Sequence, residues 1–204
     1  MDDYFALLNE PHRPWLDLDS LKQKFLSISA AVHPDRVQTA REEQKRLADR
    51  RYAELNQAYQ HLRRPKDRLQ HLLELETGSK PVQVQQIPPD LTEFFLEVGQ
   101  LLKQTDAFLA EKSQTTSPLL QVRLFERGQA WIEKLNAMQR ELNSRQVELA
   151  SELQAIDARW VGAGKADPVS RATMLRRLEQ LYRLFSYFTR WEEQIQERVV
   201  QLTL

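Results

Sequence analysis

The chain has no cysteine and only five glycines in 204 residues. Without thiols there is no disulfide, no thiolate nucleophile and no Cys-ligated zinc site. The glycines are few and scattered, so no glycine-rich phosphate loop is available. An excess of either charge is also missing: 29 Lys and Arg balance 29 Asp and Glu. A broad electrostatic footprint for nucleic acid is therefore not expected. No apolar run approaches the roughly 20 residues needed to span a bilayer, so no membrane segment is expected. The opening Met1-Asp2-Asp3 lacks the pattern of a signal peptide, which makes a cytoplasmic location the expectation. His12, His33, His61 and His71 lack the spacing of a helical metal site, and no metal or cofactor is expected.

What fills the chain instead is Leu, Glu, Gln, Arg and Lys, all good helix formers. The expected fold class is all-α, with no strand anywhere.

Apolar spacing places the helices. Residues 2–8 read as a short helix that buries Tyr4, Phe5 and Leu8. Leu18, Leu21, Phe25, Ile28 and Val32 step by three and four, one face of a second helix, with Asp17 or Asp19 as its cap. A third stripe runs through Ala48, Tyr52, Leu55, Tyr59 and Leu62. Two such helices joined by a polar loop bury their stripes against each other as an antiparallel hairpin. Leu69, Leu72 and Leu73 give a short fourth helix, and Gly78 suits the left-handed residue that ends it.

Between the hairpin helices stands His33-Pro34-Asp35. Proline lacks a backbone N–H and clashes with the preceding turn, so it stops the helix. An ionisable ring and a carboxylate are left together on an exposed loop, a layout suited to docking a partner and unsuited to a core.

Residues 77–89 are polar and marked by proline, a linker. Three long helices follow, the first over about residues 90–112. Ser117-Pro118 and Asp167-Pro168 open the other two as cap plus first-turn proline, and Gly162 and Gly164 end the middle one. Their apolar residues fall mostly three, four or seven apart, as in a bundle seam. Tyr187 and Trp191 lie off that seam and are expected to pack on a neighbouring helix.

The N-terminal residues resemble a J-domain, the co-chaperone module that activates seventy-kilodalton heat-shock ATPases. More closely, the chain resembles the HscB-type co-chaperones of bacterial iron–sulfur cluster assembly. The resemblance rests on DYFALL (Asp3 to Leu8), VHPDR (Val32 to Arg36), LNQAYQHLRRP (Leu55 to Pro65) and DRLQHLLEL (Asp67 to Leu75). It implies a J-domain over residues 1–76, a linker over 77–89 and a client-binding antiparallel three-helix bundle over 90–204. It also implies that the chain is not an enzyme. Chemistry occurs in the ATPase partner, which His33, Pro34 and Asp35 contact, and Lys22, Lys24 and Arg36 offer that partner a basic face. Positive charge there speeds encounter more than it tightens the complex. Lacking thiolates, the chain is a chaperone partner of cluster assembly and not a cluster carrier.

The resemblance further implies a client surface for an iron–sulfur scaffold protein at Phe95, Leu96 and Glu97. Several positions depart from the family pattern. Val32 replaces an aromatic before the histidine, and Ala30 and Ala31 replace polar or basic residues. Gly99, Gln100 and Lys103 stand where a leucine and acids are usual. Gln180 stands for a phenylalanine on the last helix, with Tyr182 as its nearest substitute. These departures leave two alternatives: a J-domain co-chaperone for a different client, and a helical assembly protein that no longer activates an ATPase.

Overall fold

A computed structural model describes residues 2–33, 41–81, 91–163 and 167–203. The fold is all-α, and among the described residues there is no strand. Helices run in the order α1 (Tyr4–Leu7), α2 (Leu18–Ala31), α3 (Glu42–Leu62), α4 (Pro65–Thr77), α5 (Thr92–Gln114), α6 (Pro118–Ala163) and α7 (Pro168–Thr203).

Local chemistry sets these limits. Asp3 caps α1 by accepting the Phe5 and Ala6 amides at 3.0 and 3.1 Å. Asp17, not Asp19, caps α2, accepting the Ser20 amide at 2.7 Å. Pro65 opens α4 and Gly78 closes it at φ 75°, a conformation that glycine adopts without steric cost. The middle bundle helix continues through Gly162 to Ala163; Gly164 lies outside the described residues. Glycine is tolerated near a helix end because the last turn has little packing to lose.

Two compact units are present. The first comprises Met1–Val82 and Ala150–Arg183. Within it Phe5, Leu8, Leu21, Leu55, Leu62, Leu69 and Leu72 are fully buried, as are Leu153, Leu178 and Leu181. The α2 and α3 stripes meet where Phe25 stacks on Tyr59, ring centroids 4.5 Å apart and 12° from parallel. Leu18 departs from its expected place in the stripe: it is 53% exposed, and the buried leucine at this end of α2 is Leu16, before the helix begins.

The second unit comprises Gln83–Leu149 and Leu184–Leu204. One apolar cluster joins Phe94, Val98, Leu102 and Phe108 of α5, Leu124, Leu135 and Leu142 of α6, and Phe188, Trp191, Ile195 and Leu202 of α7. Trp191 and Tyr187 pack as expected, with Trp191 edge-on to Phe94 and Phe95 at 5.8 and 4.5 Å and Tyr187 stacked on Trp191 at 6.1 Å. The three-residue connection from α5 to α6 holds these two helices antiparallel.

Chain order and compact units coincide for the first four helices and differ for residues 150–183, which group with them. The physical reason is a set of polar fasteners inside the first unit. Arg13 makes a forked ion pair with Asp157, its Nε donating at 3.1 Å and its second terminal nitrogen donating to Oδ2. The Trp15 amide reaches the same carboxylate at 3.4 Å, and Trp160 Nε1 donates to the His12 carbonyl at 2.9 Å. Arg171 pairs with Glu76 at 2.7 Å and lies over the Trp160 ring.

Candidate partner-docking surfaces

The α2–α3 hairpin carries the first candidate surface. α2 ends at Ala31, with Val32 as its cap bonded to the Ser29 carbonyl at 3.2 Å. This is where a residue followed closely by proline must leave the helix. His33 is half-buried, its ring edge-on to Tyr52 at 5.2 Å. Tyr52 of α3 thus fixes the point at which the chain leaves α2. Pro34, Asp35 and Arg36 lie outside the described residues.

The basic residues around this point differ in availability. Lys22 projects from α2 and has no partner among the described residues. Lys24 is engaged: its ammonium lies 2.9 Å from the Glu10 carboxylate and donates to the Asn9 carbonyl at 3.3 Å. Glu10 is 7% exposed on its side chain, so this pair is partly withdrawn from water. On α3, Lys45 pairs with Glu42 at 2.8 Å, and Arg50 and Arg51 share Glu54 at 3.0 and 3.5 Å. Arg41 and Arg46 are exposed. Local carboxylates therefore cancel much of the positive charge read from the sequence.

A small polar network supports the hairpin from α1. His71 Nε2 accepts the Tyr4 amide at 3.0 Å, which requires that nitrogen to be unprotonated. The Tyr4 ring lies between His61 and His71, with centroids 4.8 and 4.6 Å away, and its hydroxyl accepts from Gln57 at 2.8 Å. Burial pushes the His71 imidazole below its ordinary pKa, although Asp3 and Glu74 pull the other way. Burial works to raise the Asp3 carboxyl, but the Ala6 amide, the His12 ring at 2.7 Å and the Phe5 amide together hold it below its usual value. Tyr4, His61, His71, Asp67, Gln70, Glu74 and Lys80 line a cleft of about 380 Å³ beside this network. Among the described residues no group of three His, Cys, Asp or Glu side chains is arranged to hold a metal ion. No helix among them is long and apolar enough to cross a membrane.

The second surface lies on α5, and its residues differ in exposure. Leu96 is 62% exposed, and Glu97, Gly99, Gln100 and Lys103 are exposed around it. Phe95 is half-buried, edge-on to Tyr187 and Trp191 at 5.3 and 4.5 Å. A Cβ added at Gly99 meets nothing within 4 Å, so this glycine serves no close approach within the chain. Tyr182 is 3% exposed and offers no surface aromatic, and Gln180 is exposed and accepts from Arg177 at 2.8 Å. The aromatic partners of Phe95 are the two residues expected to pack inward, Tyr187 and Trp191.

Sequence reading missed Arg13, Arg68 and Asp157. Arg68 is 2% exposed and donates to the Pro14 and Leu62 carbonyls at 2.9 and 2.6 Å. Burial pushes its pKa down to about 10, opposed by the nearby Asp157 carboxylate. The available signal was an arginine at an otherwise leucine-rich position of α4.

Among the described residues the fold is all-α and carries this hairpin, with a histidine just past the end of α2. The particular likeness is to HscB. Over 74 residues the chain is 40% identical to the co-chaperone protein HscB homolog of Paraburkholderia phymatum, covering 36% of this chain and 42% of that protein. Over 73 residues it is 41% identical to the homolog from Bordetella pertussis, covering 36% and 43%. The match thus spans less than half the length of these curated relatives. The crystal structure of human co-chaperone HscB superposes with a TM-score of 0.64 at 16% identity, over 96% of this chain and 81% of that one, a likeness of fold. No family model matches the chain.

Proposed function

We propose that the protein is a cytoplasmic co-chaperone of iron–sulfur cluster assembly. It stimulates ATP hydrolysis by a seventy-kilodalton heat-shock chaperone and delivers a client to it, an iron–sulfur scaffold protein. The observation that carries this reading is the His33-Pro34-Asp35 motif, which follows α2 in sequence, in a chain that is similar over 74 residues to an HscB homolog. In this reading residues 1–76 engage the ATPase, 77–89 link, and 90–204 hold the client. His33, Pro34 and Asp35 touch the ATPase and favour its hydrolysis-competent arrangement, while bond-breaking stays in the partner's own site. Lys22, Lys24 and Arg36 give this side its positive charge, that of Lys24 offset by Glu10. Leu96 supplies an exposed apolar contact for the client, Glu97 a carboxylate, and Phe95 an aromatic edge supported by Trp191.

Steady-state ATPase of the heat-shock partner tests this. Wild type accelerates hydrolysis, the scaffold protein enhances the effect, and Asp35→Asn removes it while the circular dichroism spectrum stays unchanged. Stimulation that survives in Asp35→Asn refutes the motif's role. Stimulation indifferent to the scaffold protein favours a second reading, a different client. That reading draws support from Gly99, Gln100 and Lys103, which leave Glu97 as the lone carboxylate over residues 95–103.

A further inference from the structure

We propose that the groove between α6 and α7 binds a basic segment of a partner protein in extended form, with Lys or Arg at alternate positions. The groove lies within the second compact unit and has a volume of about 780 Å³. Gln139 of α6 forms one side, and Glu192, Glu193, Gln196, Glu197, Val200 and Gln201 of α7 form the other. The α7 positions recur by one and three, so they make one helix face. From Glu192 to Gln201 that face runs roughly 14 Å, at about 1.5 Å per residue. It is not the face that meets α5, which carries Tyr187, Trp191 and Arg198. Most of the surface lining the groove is carbon, and Val200 is 47% exposed there.

Charge and spacing select the occupant. Glu192, Glu193 and Glu197 supply three carboxylates, and no cation lines the groove. Among the described residues none of the three is in an ion pair. Arg140 and Arg190 are exposed nearby in sequence, but neither lines the groove and neither pairs with these carboxylates. Arg198 is committed to Asp106, and Lys134 lies over the Trp131 ring. Like charges on one helix face repel, and cations laid among them relieve that repulsion. Glu193 and Glu197 are one turn apart, about 5–6 Å between Cβ atoms. In an extended chain the side chains on one side recur every second residue, about 6.5–7 Å apart, while adjacent residues point to opposite sides. Alternate cations therefore match the two glutamates, and consecutive ones do not. The amides of Gln139, Gln196 and Gln201 each offer donors and an acceptor for the free backbone groups of such a segment. Val200 gives an apolar contact for the stems of Lys or Arg.

The test titrates the full chain with a labelled synthetic peptide that alternates Lys and Thr, read by fluorescence anisotropy. The salt is roughly 0.15 M, where the Debye length is about 8 Å and remote charges are screened. Glu193→Gln/Glu197→Gln is expected to bind the peptide at least about tenfold more weakly, a loss of about 1.4 kcal/mol. Glu126→Gln/Glu148→Gln removes the same charge from exposed positions of α6 outside the groove and is expected to leave the affinity unchanged. Leu96→Ala on α5 is expected to leave it unchanged as well. All these side chains are exposed, so the variants keep their fold, which circular dichroism checks. Equal weakening by the two double variants means attraction to overall charge and overturns the assignment to the groove. Equal affinity for a peptide of the same composition with its lysines in one block overturns the extended register. No binding of the alternating peptide overturns the proposal outright. Self-association of wild type that Glu193→Gln/Glu197→Gln abolishes assigns the groove to a second copy and also overturns it. The inference is independent of the ATPase and scaffold readings above, and failure of either leaves it standing.

Discussion

Replacing Asp157 by alanine removes a carboxylate that three groups depend on. Its side chain is 3% exposed, and it receives two hydrogen bonds from Arg13 and one from the Trp15 amide. It is also the anion that offsets the burial of Arg68. Arg13 is 35% exposed on its side chain and can turn toward water once released, so its share of the loss is moderate. Arg68 is buried and has no such escape. Removing one partner of a buried pair costs about 3–5 kcal/mol, and we expect Asp157→Ala to fall in the lower half of that range because Arg13 recovers hydration. Arg198–Asp106 provides the comparison. It has the same forked geometry, with bonds of 2.7 and 2.8 Å, but Asp106 is 53% exposed. Asp106→Ala should therefore cost about 1 kcal/mol or less. Urea unfolding by circular dichroism gives the two costs. Hydrogen exchange over residues 10–16 and 153–160 tells whether Asp157→Ala loosens the segments it joins. Equal costs for the two variants, or unchanged exchange in both segments, would refute the claim that burial makes the Asp157 pair a fastener.

The remaining expectations concern pH, helix propensity and the client face. His71 has a folded pKa below its unfolded value, so its contribution is present above the unfolded value near 6.5 and is lost as pH falls through the folded one. Wild type should lose more stability than His71→Gln between roughly pH 7.5 and 5, because glutamine keeps an acceptor for the Tyr4 amide without titrating; parallel pH profiles in urea melts would contradict this. Gly99→Ala should stabilise the chain by about 1 kcal/mol, because its Cβ enters open space on an exposed helix; a destabilised variant would mean that the site is packed. Leu96→Ala and Glu97→Ala should each weaken scaffold-protein binding by about tenfold or more while leaving basal ATPase stimulation intact, and unchanged affinity in both removes that surface from consideration.

Helix positions were legible because they depend on neighbours in sequence. The stripes of α2 and α3, proline at the starts of α4, α6 and α7, and Gly78 at the end of α4 all act within a few residues. Leu18 shows where that logic thins. It shares the period of the α2 stripe, but as the first helical residue it has no preceding turn to hold it against α3. Leu16, with no helical period to mark it, is buried instead. His33, the one member of its motif among the described residues, stands two residues past the end of α2, and the proline that follows it restricts its backbone locally.

What escaped the sequence depends on partners distant along the chain. A continuous apolar stripe states that a helix face is buried but not against what, so the periodicity of α6 and α7 does not reveal that residues 150–183 group with the first four helices. The polar residues that specify this grouping follow no period. Arg13 and Asp157 are 144 residues apart, and each alone reads as an ordinary surface charge. The pairing of Lys24 with Glu10 was hidden for the same reason, since Glu10 stands on a segment without helical pattern. Both pairs place a carboxylate that is less than a tenth exposed against a cation that is more than a third exposed. In each the carboxylate is the constrained partner, so its removal or neutralisation informs more than removal of the cation. The basic side of the hairpin is accordingly weaker in free charge than its composition suggests.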